Sequence, residues 1–140
     1  MAGLSAYGTI LKIGTAAEGV AVANVTSVEG PGLSTELVDV TAHDSAGSFR
    51  EQVPTFLDGG EVTLRINYDP AAVTHKNAAG GLIKLWKDKT RSAFAVTYPT
   101  TPPLSVEFFG YVTAFSGSAP FDGKLEANVT LKVDGAVTMP

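Results

Sequence analysis

The sequence contains no cysteine. That excludes a disulfide framework, a thiolate nucleophile, an iron–sulfur cluster and a cysteine-based zinc site, so stability must come from packing or assembly. Charge is scarce as well: Asp, Glu, Lys and Arg make up 17% of the 140 residues, against about 25% in an ordinary globular chain. The net charge of −4 argues against a protein whose main task is to grip nucleic-acid phosphates. No apolar run approaches the roughly 18 residues of a membrane-spanning helix, and no basic residue precedes the first apolar stretch as it would in a secretory signal. The chain is therefore expected to be made in the cytosol, or released by lysis, with no membrane partner. A single domain is the natural count at this length.

Hydrophobic residues make up 44% of the chain, which leaves few charged groups to dress a monomer's surface. Two explanations stay open: Gly, Ala, Ser and Thr stand in for charge, or copies of the chain cover one another. The charge is also divided unevenly. Residues 1–68 hold 3 basic and 8 acidic groups, whereas residues 69–140 hold 7 and 6.

Apolar alternation with the period of a half-buried strand recurs along the chain. In Glu61–Tyr68, Val62, Leu64, Ile66 and Tyr68 share one face, and Glu61, Thr63, Arg65 and Asn67 the other. Lys124–Val133 repeats the pattern, with Leu125, Ala127, Val129, Leu131 and Val133 against Lys124, Glu126, Asn128, Thr130 and Lys132. Further strands are expected at Val20–Val28, Thr35–Thr41, Ala93–Tyr98 and Leu104–Phe115, separated by Gly- and Pro-rich breaks. The last of these is apolar on both faces, with Phe109, Tyr111 and Phe115 opposite Leu104, Val106, Phe108, Val112 and Ala114. A central strand or one beneath a helix explains this, and so does an inter-subunit contact; Phe109, Tyr111 and Phe115 are the candidates for the latter. The pattern is that of an antiparallel, mainly β domain with one helix.

Asp69-Pro70 reads as a helix start, with Asp as N-cap and Pro at the first helical position, so a helix is expected over 70–90. Ala79, Leu82, Ile83 and Trp86 form its apolar stripe at helical spacing, and Gly80-Gly81 weakens its middle. His75 should be exposed early in it. Lys84, Lys87, Lys89 and Arg91 crowd its end, where cations meet the negative pole of the helix dipole, which explains them more simply than nucleic acid does. Two stretches read as irregular. Residues 1–19 look like a mobile arm, broken by Gly3, Gly8, Gly14 and Gly19. Residues 41–58 look like a long loop, of a length that is usually functional. Its Phe49, Val53, Phe56 and Leu57 indicate that it is built to touch something.

Catalytic chemistry is thin. His43-Asp44-Ser45 has the residue types of a triad, but sequence neighbours cannot adopt its geometry. The two histidines, His43 and His75, show no metal-ligand spacing. Gly30-Pro31-Gly32 lacks the Lys-Ser/Thr of a phosphate loop. No cofactor, no metal and no enzymatic activity are expected.

The order of several weak motifs is more telling. Val25-Thr26-Ser27-Val28-Glu29-Gly30-Pro31-Gly32-Leu33-Ser34-Thr35-Glu36-Leu37-Val38-Asp39-Val40-Thr41 is followed by Ala42-His43-Asp44-Ser45, Phe49-Arg50-Glu51, Asp58-Gly59-Gly60-Glu61-Val62 and Asn67-Tyr68-Asp69-Pro70. In this order and spacing they resemble the tail tube (major tail) proteins of lambda-like phages with long non-contractile tails, and the resemblance extends over nearly the whole chain. It implies a β-sandwich or partly closed barrel flanked by a helix, assembling as hexameric rings that stack into a hollow tube. The implied partners are other copies of itself, the tape-measure protein, tail-tip and terminator proteins, and genomic DNA passing through the lumen without sequence-specific binding. The implied location is the virion tail, assembled in the host cytoplasm. The resemblance maps an inter-ring stacking loop onto 41–58, with Phe49, Arg50, Glu51, Val53, Phe56 and Leu57 as its contact residues. The polar strand faces, Glu61, Thr63, Arg65, Asn67, Glu126, Asn128 and Thr130, are candidates to line the lumen. The chain ends at Pro140 without the immunoglobulin-like domain of some relatives, so a decorating role for one is not expected. A tail-tip or terminator ring, or a monomeric β-sandwich that binds carbohydrate or protein, are the alternative readings.

Overall fold

A computed structural model describes residues 3–44 and 46–140. Nine strands and one α-helix follow in chain order: β1 Ile10–Ile13, β2 Val20–Ala21, β3 Val25–Glu29, β4 Ser34–Asp39, β5 Gln52–Asp58, β6 Glu61–Asn67, α1 Leu82–Asp88, β7 Ser92–Tyr98, β8 Leu104–Ser118 and β9 Glu126–Thr138. A short 3-10 turn at Ala46–Ser48 lies between β4 and β5. Seven strands form one antiparallel sheet in the order β2-β1-β7-β8-β9-β6-β3, and β4 and β5 form a separate pair. The large sheet curls into a half-barrel, so of the two expected forms it takes the partly closed barrel.

The alternation that defines β6 and β9 fills this barrel. Val62, Leu64 and Ile66 of β6 and Ala127, Val129 and Leu131 of β9 are fully buried, and they join Leu11, Phe94, Val96, Phe108 and Leu82 in one core. The two strands pair from Glu61↔Lys132 to Asn67↔Glu126, which keeps their apolar residues on the same side. Phe94 stacks on Phe108 at 5.7 Å between ring centroids. Burying each of these large side chains contributes about 1.5–3 kcal/mol.

The barrel is closed by backbone rather than by a ladder. Strands β2 and β3 sit at opposite ends of the sheet order although only residues 22–24 separate them, so those residues cross the open side. Val22 N–H donates to Leu11 O at 2.8 Å. Ala23 N–H donates to Thr74 Oγ1 at 3.1 Å, and Ala23 O lies 2.6 Å from His75 Nε2. Since His75 Nδ1 accepts from Asp69 N–H at 3.2 Å, the proton sits on Nε2, which donates to Ala23 O.

This latch corrects two expectations. His75 is fully buried, not exposed, and the helix does not run over 70–90. Asp69 Oδ1 accepts from Ala71 N–H at 2.9 Å in an Asx turn, and a string of turns then carries Thr74 and His75 inward to Ala23. The regular helix begins only at Leu82, after Gly80, at φ +87°, and Gly81, where a Cβ would collide with Lys76 O. Tertiary hydrogen bonds thus override the local helix signal. The stripe moves with it: Leu82 is buried and Leu85 packs on the core, Ile83 is half-buried, and Ala79 is exposed outside the helix. Trp86 is 50% exposed.

Residues 1–19 are not all a loose arm. β1 pairs with β7 from Ile10↔Thr97 to Ile13↔Phe94, and Leu11 is buried; Met1 and Ala2 lie outside the described residues. The expected loop over 41–58 is shorter than that: residues 52–58 are strand, because β5 pairs with β4 from Ser34↔Asp58 to Asp39↔Gln52. Pro54 and the lack of apolar alternation over Gln52–Asp58 hide that strand in the sequence.

Candidate assembly surfaces

The β4–β5 pair is a continuation of the β3–β6 pair. Breaks in the strand pairing at 30–33 and 59–60 separate the two, and beyond them the ribbon leaves the sheet as an arm. Gly60, at φ +67°, would drive a Cβ into Gly32 O, so the close crossing of the two breaks requires glycine there. Every residue of β4 and β5 is exposed, on both faces of the ribbon, and none of them belongs to the core. Among the exposed side chains are Leu37, Val38, Val53, Phe49 (76% exposed), Phe56 (75%) and Leu57 (83%). Phe49, Arg50 and Glu51 sit at the arm's far end. There Val40 N–H donates to Glu51 O at 2.9 Å, Glu51 N–H donates to Thr41 Oγ1 at 2.8 Å, and Arg50 lies 3.9 Å from Asp39. His43 and Asp44 are exposed in the same turn, and Ser45 lies outside the described residues. The Thr41 hydroxyl and the Thr41 N–H, the latter at 2.9 Å, hold the Asp39 carboxyl below its ordinary pKa. Arg50 therefore faces an ionised partner at neutral pH.

A second surface is the polar outer face of the sheet. Glu61, Thr63 and Arg65 of β6 lie across from Lys132, Thr130 and Asn128 of β9, and β8 extends the face with Ala114 beside Thr130 and Ser116 beside Asn128. Arg65 Nε donates to Asn128 Oδ1 at 3.2 Å. All seven residues of the polar strand faces share this side, but they are not equally open. Glu126, Thr130 and Asn67 are half-buried, and the Asn67 side-chain oxygen is buried without a hydrogen-bond partner. Glu61 lies across from Lys132, and Glu126, which is across from Asn67, has Lys124 3.4 Å away, so acidic and basic groups along the two strands are close to balanced.

The third group does not stay together. Phe109 is 46% exposed, with the Arg91 guanidinium 4.4 Å from its ring centroid and the same group bound to Asp134 at 2.8 Å. Tyr111 is half-buried and pairs with Lys132. Phe115 points the other way: it packs on the core and meets Tyr68 edge-on at 5.2 Å. A bulge between Val112 and Ala114 inserts one residue and flips the alternation, so Phe115 turns inward. It is therefore a core residue and not part of an exposed interface.

Among the described residues, no group of three or more His, Cys, Asp and Glu is placed to hold a metal ion. No helix there is long and apolar enough to cross a membrane.

No family model and no curated protein matches the sequence. Solved structures do. A chain in the C6-symmetric tail of an empty gene transfer agent particle superposes with a TM-score of 0.76 at 15% identity, over 99% of both chains. The sheath/tube terminator structure of an extracellular contractile injection system contains a chain that matches at 0.72 and 16%, over 100% of this chain and 98% of that one. The SPP1 tail tube matches at 0.61 and 13%, over 94% and 76%. The chain has the tail-tube fold. The first two of these matches span nearly the full length of both chains.

Proposed function

We propose that the chain is a structural subunit that self-associates into hexameric rings, and that the rings stack into the hollow tail tube of a phage-like particle. The observation that carries this reading is the arm: a two-stranded ribbon, exposed on both faces, that holds Phe49, Phe56 and Leu57 away from the core. An isolated two-stranded ribbon is marginal in water, and an apolar one is a liability unless something covers it. A neighbouring copy is the partner that the tail-tube fold favours, and the six-fold symmetry of the gene transfer agent tail supports six copies per ring. A ring contact closes by rotation, whereas a stacking contact repeats along the axis without closing; the projecting arm serves the second.

In this reading the nearly neutral outer face of β6 and β9 lines the bore. Such a wall lets phosphates pass, because it offers few of the cationic contacts that bind them tightly. The tube encloses a tape-measure protein during assembly and conducts DNA afterwards, ends on tip and terminator proteins, forms in the host cytoplasm and is carried in the virion. Its role is structural rather than catalytic. The terminator match favours one second reading, a subunit that forms a single ring and does not stack. Electron microscopy of the purified protein over a concentration series separates the two. Tubes with the β6–β9 face inward support the proposal, single rings favour the terminator, and monomers at every concentration overturn both.

A further inference from the structure

The arm and the helix have complementary chemistry. Residues 34–58 carry five acidic groups and one basic one, and residues 84–91 carry four basic groups and one acidic one. On the arm, Glu36 and Asp44 are exposed and take part in no ion pair among the described residues. On the helix, Lys84 pairs with Asp88 at 3.0 Å, while Lys87 and Lys89 are exposed and form no ion pair among the described residues. Trp86, the single tryptophan of the chain, is half-exposed in their midst. A large aromatic side chain left open inside a charged rim has the anatomy of an interface anchor. Within one subunit the two surfaces rest on different elements: α1 packs on β8, and the foot of the arm meets β9.

Resting on the proposed self-assembly, we infer that the arm of one copy docks on the α1 surface of a neighbouring copy. Trp86 sits against the arm's exposed Phe and Leu side chains, and Lys84, Lys87 and Lys89 face its carboxylates. The match is of two kinds at once, an apolar centre meeting an apolar centre and an acidic rim meeting a basic one. That fixes orientation and disfavours contact between two arms or two helices, since like charges would then face each other. It also assigns the charge division along the sequence to the two sides of one heterologous contact.

Trp86 is the reporter. Its emission in the wild-type protein is expected to shift to the blue on assembly, and acrylamide is expected to quench it less in tubes than in subunits. Reversing Lys87→Glu and Lys89→Glu together is expected to raise the concentration needed for assembly about tenfold or more. Adding Glu36→Lys and Asp44→Lys to that variant is expected to restore it to within about threefold of wild type, because the pairs are re-formed with their signs exchanged. Equal quenching of Trp86 in tubes and subunits overturns the inference. So does normal assembly of the Lys87→Glu, Lys89→Glu variant, absence of rescue by the exchanged charges, or a Trp86 response to added DNA and none to assembly. A wild-type protein that never assembles overturns the proposed function itself, and needs no variant to be recognised.

Discussion

Truncating Phe56 to alanine tests the arm directly. Full burial of a Phe side chain is worth about 1.5–3 kcal/mol, and Phe56 is 75% exposed in the subunit, so docking has about 1–2 kcal/mol still to gain at this position. Phe56 takes no part in the core, so its loss leaves the stability of the isolated subunit within about 0.5 kcal/mol of wild type, as for surface changes generally. The two effects are read separately. Urea denaturation of the dilute subunit gives stability, and sedimentation over a concentration series gives the concentration at which rings or tubes appear. The expected result is an unchanged urea midpoint with an assembly concentration raised about 5- to 30-fold, since about 1.4 kcal/mol is a factor of ten. If the arm instead packs on its own subunit in solution, the midpoint falls and assembly follows it. If the arm touches nothing, neither quantity moves; either outcome refutes the reasoning.

Two further predictions concern the latch and the arm tip. His75→Ala removes the bond to Ala23 O and the acceptor for Asp69 N–H. It is expected to destabilise the subunit by about 2–4 kcal/mol, from groups left unpaired and the space the ring vacates; a urea-measured loss below about 1 kcal/mol would show that residues 22–24 close the barrel without it. At the arm tip, the folded-state pKa of Asp39 is depressed, mainly by the Thr41 hydroxyl and then by the Thr41 N–H. The stabilising contribution of this turn is therefore complete above the pKa of the unfolded chain and is lost as pH falls through the lower folded value. Thr41→Val is expected to move the Asp39 titration upward toward the ordinary range, as followed by NMR of the carboxyl carbon, and an unmoved titration would remove the hydroxyl as the cause.

Most of the barrel is legible in the sequence because two-residue alternation and burial have the same cause. Val62, Leu64 and Ile66, and Ala127, Val129 and Leu131, read as one-sided in sequence and are one-sided in the fold. What the pattern misses depends on contacts distant along the chain. β1 is short and flanked by glycines, and only its pairing with β7 makes it a strand. The Asp69-Pro70 signal for a helix is locally sound, but Thr74 and His75 are drawn to Ala23, about fifty positions earlier in the chain. Phe115 is misplaced by alternation because a bulge is a one-residue event that leaves no compositional trace. Among the proposed assembly residues, Phe49, Val53, Phe56 and Leu57 stand out as apolar side chains in a stretch with no core to enter. Their side of the ribbon depends on the β4–β5 register, which slips between Thr35 and Leu37.

That half of the proposed contact residues sit on a paired ribbon, with only its end turn irregular, changes how assembly would work. Fixing the backbone of a flexible residue takes roughly 1–2 kcal/mol, and a loose segment of this length would meet most of that cost on docking, offsetting the gain from Phe49, Phe56 and Leu57 several times over. Here the β4–β5 hydrogen bonds and the continuity with β3 and β6 fix much of the backbone before any partner arrives. The remaining cost falls on side chains, about 0.5–1.5 kcal/mol each, which is comparable to what each apolar contact returns. A single arm would therefore hold only weakly, and six arms per ring would hold as a set, since each engaged arm places the others near their partners. This predicts that a ring adds to a tube far more readily than a lone subunit does.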